Sequence, residues 1–246
     1  MRKRFFEVLL LCIACIVNAQ TTNEKKLSWD FPVKPGMEEW KRMSYQEAVI
    51  ALQIPEDILS SLSTEDLTEI CLRYPFLFEI KIYKTFEMGL DTLFKRFNGV
   101  RELFNRDDVS KELLKQYQNK MQNLSYLCGD DSLLKKGIFI VSIAYIEMLL
   151  SRYQVKDESK KDDFLEILHD IVIGYEKKLK YPEYMDSFTL GVNLYARLHM
   201  IIKIDEQNIK KIPKQDRNGV FINGIADEQT IQAVDELSYQ LINKIR

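Results

Sequence analysis

Two ionisable residues in apolar helical segments are the strongest candidates for chemistry, and Glu147 is the first. Between Ile138 and Leu150 only Ser142 and Glu147 are polar. Burial raises the pKa of an unpaired carboxyl group, which is one way to make a general acid. The alternatives are a structural ion pair, with Arg197 as a candidate partner, and a stripe of helix surface that is simply exposed. The surrounding apolar residues favour the ion pair.

His199 is the second weak catalytic candidate, and it shares a helix face with Tyr195 one turn away. A histidine on an apolar face is either a proton carrier or a core residue held by a hydrogen bond, and the sequence favours the core residue. The chain's other histidine, His169, follows Glu166 at the Glu-x-x-His spacing of di-iron helical bundles. Such bundles need that pair twice, and His199 has Ala196 at the corresponding position. We therefore predict no metal site.

Several other chemistries are excluded by composition and motif. The chain contains neither Gly-x-Ser-x-Gly nor a glycine-rich phosphate-binding loop. Its 35 basic and 37 acidic residues give a net charge of −2, so no basic field attracts nucleic acid. We predict no cofactor and no nucleic-acid partner. Carboxylate pairs for glycoside hydrolysis remain open, because no spacing singles out a pair among so many acids.

Helices must position these candidates, because capping signals and apolar periodicity recur along the chain while strand patterns are nearly absent. An apolar run between Asn-Gly pairs at 218–224 is the one exception, as a small hairpin or an exposed loop. We predict an all-α fold of about eight to ten helices, arranged as a bundle or a superhelix-like array of antiparallel pairs. The main segments are roughly 44–53, 76–97, 99–105, 109–127, 132–153, 160–180, 187–204 and 228–245.

Apolar residues surround the helices predicted at 132–153 and 187–204, whereas 160–180 has a single apolar stripe. Helices of the first kind must be covered on both sides, so layers of helices are expected. We predict one domain over 44–246, with a candidate hinge in the polar run 154–163. The long irregular connection 205–226 is a candidate contact region.

Aromatic and proline residues between 29 and 40 predict an extended strap, because each proline and the residue before it disfavour a helix. Trp29, Phe31 and Trp40 are the large side chains in this segment. We predict that the strap lies on the domain surface and offers these three residues to a binding partner.

Residues 1–19 have the pattern of a secretory signal, with a charged start, an apolar run from Val8 to Val17 and a cleavage site after Ala19. The alternatives are a lipoprotein acylated at Cys12 or Cys15, and an uncleaved membrane anchor. We predict a secreted or periplasmic protein whose mature chain has no transmembrane helix. Cys71 and Cys128 would remain, either bridged or as two separate thiols, and the sequence weighs both equally.

The segments Trp29-Asp30-Phe31-Pro32-Val33-Lys34-Pro35-Gly36 and Phe97-Asn98-Gly99-Val100-Arg101-Glu102-Leu103-Phe104 carry a resemblance. They are similar to a group of uncharacterised secreted proteins from gut Bacteroidales, over about the first half of the mature chain. The resemblance implies an all-helical envelope or secreted protein and no particular activity. In such an organism, Thr92 and Ser132 would also lie in sequons for periplasmic O-glycosylation.

These patterns favour an exported, non-enzymatic helical protein that binds a protein or peptide partner in the cell envelope. The alternative is an envelope hydrolase that uses carboxylate general acid and base groups on glycan or peptidoglycan. A third hypothesis is a structural component of a surface assembly.

Overall fold

A computed structural model of the protein describes residues 29–129, 132–154, 162–213 and 226–243. In these ranges every regular element is a helix and no strand occurs, which confirms the all-α prediction. The predicted signal sequence, the segment 218–224 and most of the candidate hinge lie outside the described residues.

The chain divides into two compact units, whereas the sequence predicted one domain. Of the described residues, 29–80 and 90–107 make up the first unit, and 81–89 together with those between 108 and 243 make up the second. The chain passes between the units within the 3-10 helix Leu77–Ile82, within the helix Phe86–Arg96 and in the turn that precedes Val109.

Short helices build the first unit, and sequence signals set their starts. Ser44 begins a helix with a reciprocal capping box, in which its hydroxyl accepts from the Glu47 N–H while the Glu47 carboxylate accepts from the Ser44 N–H. Ser63 caps another helix by accepting from the Asp66 N–H. The α-helices up to residue 107 are α1 (Glu38–Arg42), α2 (Tyr45–Ala51), α3 (Glu56–Ser61), α4 (Thr64–Leu72), α5 (Phe86–Arg96) and α6 (Asn98–Leu103), with a 3-10 helix at Leu77–Ile82. Residues 81–89, which include the start of α5, belong to the second unit.

The side-chain amides of Gln53 and Asn98 join the end of α2 to the start of α6 through hydrogen bonds. The Asn98 side chain accepts from the Ile54 N–H at 3.0 Å and donates to the Ile54 carbonyl at 2.7 Å. The Gln53 side chain accepts from the Asn98 N–H and donates to the carbonyls of Val49 and Arg96. Both amides therefore satisfy backbone groups at the ends of α2 and α5, at the start of α6 and at Ile54, which follows α2.

Longer helices build the second unit, and they pack in antiparallel pairs. In the first pair, Tyr117 of one helix meets Glu147 of the next, while Lys120 lies over the ring of Phe139. The helices are α7 (Val109–Gln122), α8 (Leu133–Arg152), α9 (Asp162–Lys178), α10 (Ser187–Ile204) and α11 (Glu228–Ile242), and 3-10 helices occur at Leu124–Cys128, Pro182–Tyr184 and Glu206–Lys211.

Helices α9 and α10 form the second pair, since Arg197 packs on the Tyr175 ring and Lys203 lies over the Phe164 ring. The two pairs pack against each other. Helices α8 and α10 are in extensive contact, α7 and α9 are in more limited contact, and α11 packs on both α9 and α10. This arrangement explains why α8 and α10 are apolar on all sides, as the sequence indicated.

Candidate functional site

Glu147 is the centre of a buried polar cluster that takes one side chain from each of four helices. Its side chain is fully buried, at 0% exposure. The Glu147 Oε1 atom accepts hydrogen bonds from the Tyr117 hydroxyl of α7 at 2.9 Å, the Lys178 ammonium of α9 at 2.5 Å and the Asn193 amide of α10 at 3.0 Å. The cluster thus ties both helix pairs together.

Gly174 allows α7 and α9 to approach closely enough for this cluster. A Cβ atom at Gly174 would lie 2.0 Å from the Tyr117 hydroxyl oxygen and 3.0 Å from the Met121 sulfur. Tyr117 is itself fully buried. A residue with a side chain at position 174 would therefore displace the hydroxyl that binds Glu147.

The ion pair that the sequence predicted for Glu147 agrees with this geometry, but the cation is Lys178. Arg197, the predicted partner, bonds Asn193, which in turn bonds Glu147. The Arg197 Nε donates to the Asn193 carbonyl oxygen at 2.9 Å, and its Nη1 donates to Asp235 of α11 at 2.5 Å. Two cations and two carboxylates are thereby connected through one asparagine. Burial with such balanced partners is the condition under which charges are tolerated in a core.

This cluster is sealed, which limits what it can do chemically. Lys178 is 1% exposed in its side chain, and Glu147 has no exposed surface. Burial, followed by the charge of Glu147, raises the pKa of Tyr117 well above its ordinary value. A substrate cannot reach a carboxylate enclosed in this way, so the geometry fits a structural role for Glu147.

His199 belongs to a second cluster at the ends of α8 and α10, which is closer to the surface. Its ring lies 4.2 Å from the Tyr195 ring, and its Nε2 atom has no hydrogen-bond partner among the described residues. The Tyr195 hydroxyl donates to Glu87 Oε2 at 2.6 Å, and Arg152 pairs with the other Glu87 oxygen. Burial, together with the charge of Lys203, lowers the pKa of His199 to about 4.

Lys203 completes this second cluster by capping the end of α8. Its ammonium donates to the carbonyl oxygen of Ser151 at 2.6 Å and to that of Tyr153. Burial and the nearby Arg152 lower the pKa of Lys203 to about 7. For Glu87, burial opposes ionisation, but the Tyr195 hydrogen bond and the Arg152 charge outweigh it and lower the pKa. The cluster holds three helix segments together at their ends.

Sequence reasoning missed Lys178, Glu87 and Lys203. Lys178 follows Ile171 by seven residues, so it lies on the apolar stripe of α9. That spacing is a signal for a buried cation, although the run of lysines around it suggested only a helix end. No comparable pattern marks Glu87, whose partners are distant in the chain.

The strap residues serve the first unit instead of facing outward. Phe31 and Trp40 are 5% and 8% exposed. The Trp29 ring packs edge-on against Phe31, whose ring also lies near those of Tyr74 and Phe97. These contacts place the two deepest of the three predicted binding residues in a core, where a partner cannot touch them.

Cys71 and Cys128 are both free thiols, the first buried and the second exposed. Of the two arrangements that the sequence left open, the structure has the separate thiols. Burial raises the pKa of the Cys71 thiol, which keeps it protonated and unreactive.

Helices α7, α9 and α11 form a layer whose exposed surface is mainly polar, with some apolar side chains among the polar ones. A cavity of about 170 Å³ lies between α7 and α9, bounded by Gln118, Met121, Asp170 and Lys177 among others. Gln118 donates to Asp170 across it at 2.7 Å. On the other side of α9, the Tyr239 hydroxyl of α11 donates to Glu176 at 2.7 Å.

Comparisons with known proteins add no functional assignment. No family model, no curated protein and no solved structure matches the chain significantly. Among the described residues, no group of histidine, cysteine and acidic side chains could hold a metal ion. In the same ranges, no helix combines the length and apolar character needed to cross a membrane.

Proposed function

We propose that this protein is an exported, non-enzymatic helical scaffold that binds a protein or peptide partner in the cell envelope. The observation that carries the proposal is that the two charges sealed in the core of the second unit, Glu147 and Lys178, pair with each other, while two partly exposed carboxylates pair with arginines. Glu147 pairs with Lys178, Glu87 pairs with Arg152, and Arg197 pairs with Asp235. Groups committed to internal ion pairs are unsuited to carrying protons to a substrate.

The stacked helix pairs of the second unit support the binding half of the proposal. Helices α7, α9 and α11 contact one another, and each of them has exposed side chains on its outer face. Proteins built in this way commonly use such layers to bind extended segments of partner proteins.

The test is chemical cross-linking of the tagged protein in its native envelope, followed by mass spectrometry. We expect one reproducible partner, with cross-links that map to lysines of one surface. Recovery of the tagged protein alone, at the same expression level, would contradict the binding role. N-terminal analysis of the same sample tests export, since a mature chain beginning at Gln20 is expected.

The hydrolase alternative is tested separately by incubating the purified protein with envelope glycans and peptidoglycan. Because Glu147 is sealed from solvent, we expect no turnover that depends on it. Turnover by the wild-type protein that disappears in a correctly folded His199→Gln variant would favour the enzyme.

A further inference from the structure

The buried cluster around Glu147 brings an amine and an amide side chain together on one carboxylate oxygen. The Lys178 ammonium and the Asn193 amide nitrogen both bond Glu147 Oε1, at 2.5 Å and 3.0 Å. The Lys178 nitrogen and the Asn193 amide group are therefore neighbours across the contact between α9 and α10. An amine and a carboxamide held side by side are the two reactants of a transamidation, and holding reactants together removes much of the entropic cost of their reaction.

The orientation of the Asn193 amide is fixed by the groups on either side of it. Arg197 Nε can only donate, and it bonds the Asn193 carbonyl oxygen at 2.9 Å. An ionised Glu147 can only accept, and it bonds the amide nitrogen. The carbonyl oxygen thus faces a guanidinium, which stabilises the negative charge that develops there when a nucleophile attacks Asn193 Cγ.

Glu147 is placed to move protons between the two nitrogens. Its Oε1 atom contacts both the nitrogen that would attack and the nitrogen that would leave, which is the position of a general acid and base. Its other oxygen, Oε2, has no hydrogen-bond partner among the described residues. Transfer of a proton from Lys178 to Glu147 replaces two buried charges by two neutral groups, which a water-free core favours.

The same core protects the reaction from water. Glu147, Lys178 and Asn193 are each at most 1% exposed. Water therefore neither competes with the Lys178 amine nor hydrolyses an amide formed from it. The burial that excludes an external substrate from Glu147 is no obstacle here, because both reactants are side chains of this chain.

We propose that Lys178 and Asn193 join in an intramolecular isopeptide bond between α9 and α10, with Glu147 as the proton carrier. The Lys178 ammonium gives a proton to Glu147 Oε1, and the neutral amine attacks Asn193 Cγ to form the Nζ–Cγ bond. Glu147 then protonates Asn193 Nδ2, the Cγ–Nδ2 bond breaks and ammonia leaves. The joined nitrogen loses its extra proton to Glu147, which ends as a neutral acid. No atom is oxidised or reduced.

The ion pair in the structure is the state from which this reaction starts. The product replaces that pair by one amide and one protonated carboxyl group, so no charge of the pair remains in the core. The inference depends on neither export nor a binding partner. Wild-type chains free of the bond are the reference for stability measurements on Glu147 variants.

The test is tryptic peptide mapping of the full chain by tandem mass spectrometry. Trypsin cleaves after Lys177, Lys180 and Arg197, so the bond joins peptide 178–180 to peptide 181–197 with the loss of one ammonia. Sequencing of the branched peptide is needed, because cyclisation of an N-terminal glutamine gives the same change in intact mass. We expect the branched peptide in protein that has been incubated in its folded state. Recovery of linear peptides alone would overturn the proposal.

Two variants test how the bond forms. Glu147→Gln, shown to be folded by circular dichroism, should lose the branched peptide because glutamine cannot carry a proton between the nitrogens. Lys177→Arg is the matched control, since it changes the exposed neighbour of Lys178 and should retain the branched peptide. A bond in folded Glu147→Gln would refute the role of Glu147. The wild-type measurement decides the bond itself, whether or not Glu147→Gln folds.

Discussion

The buried charges of Glu147 and Lys178 are tolerated because each is the counter-charge of the other. Glu147 accepts three hydrogen bonds on one oxygen, and two of its donors are neutral. The Lys178 ammonium cannot be hydrated by solvent, because its side chain is only 1% exposed. The contribution of the pair is therefore seen most clearly when one partner is removed.

Glu147→Gln is expected to destabilise the protein by about 3–5 kcal/mol, because it leaves the Lys178 ammonium buried without a counter-charge. Adding Lys178→Met should restore much of that loss, since an apolar residue of similar length replaces the orphaned cation. The free energy of unfolding in urea measures both effects. Glu38→Gln, which removes an exposed ion pair with Lys41, is the control and should change little. An effect of Glu147→Gln as small as the control would show that the pair is not buried in solution.

His199 makes stability depend on pH. Its pKa is about 4 in the folded protein and near 6.5 when unfolded, so the unfolded chain binds more protons between these values. Stability should therefore fall as the pH drops from about 6.5 toward 4, by roughly 3 kcal/mol if this histidine acts alone. Glu87, Arg152 and Lys203 are the charged groups that face it.

Urea unfolding at pH 7 and at pH 4.5 checks this expectation in wild type and in His199→Gln. The variant should lose less stability on acidification than the wild type does. His169→Gln removes the other histidine, whose side chain is 42% exposed, and should retain the wild-type difference. Identical acid sensitivity in His199→Gln and wild type would assign the effect to other groups.

Helix packing in the second unit depends on where side chains are missing as much as on where they are present. The crossing of α7 and α9 occurs at Gly174, where the Tyr117 hydroxyl occupies the space that a Cβ would need. Gly137 of α8, in contrast, has nothing within 4 Å of its Cβ position. The two glycines therefore have opposite roles in helices of similar length.

Gly174→Ala is expected to destabilise the protein by about 1–3 kcal/mol, because the new methyl group collides with a fully buried ring. Gly137→Ala should stabilise it by about 0.5–1 kcal/mol, because alanine is the better helix former and meets no neighbour. Thermal unfolding of the two variants gives the two signs directly. Stabilisation by Gly174→Ala would mean that α7 and α9 do not pack as closely as described.

The two described cysteines differ in solvent exposure and are not joined by a disulfide. Cys71 is buried in the first unit, and Cys128 is exposed in the second. The fold therefore depends on its cores and ion pairs for stability, with no contribution from a Cys71–Cys128 disulfide.

Thiol labelling of the native protein with iodoacetamide, mapped by mass spectrometry of peptides, tests this description. Cys128 should react within minutes, whereas Cys71 should react only after denaturation, because burial raises the pKa of its thiol and excludes the reagent. A peptide in which Cys71 and Cys128 are joined in a non-reducing digest would contradict the free-thiol state.

Local patterns in the chain were sufficient for the all-α class, the capping box at Ser44 and the two-sided character of α8 and α10. These features depend on neighbours within one or two turns, and the sequence displays such neighbours directly. The charged partner of Glu147 could not be chosen in the same way, because Lys178 and Arg197 are both basic residues that lie among apolar positions of their helices.

Only the tertiary structure shows that Lys178 is the partner of Glu147. It also shows that Phe31 and Trp40 are buried and that Tyr195 contacts Glu87. Each of these outcomes depends on how helices distant in the chain cross, and a crossing is decided by shape, as Gly174 illustrates. The sequence by itself therefore determined which segments are helical and which residues must be covered. Close packing between helices decided what covers them, and with that which ionisable side chains are sealed and which faces remain open to a partner.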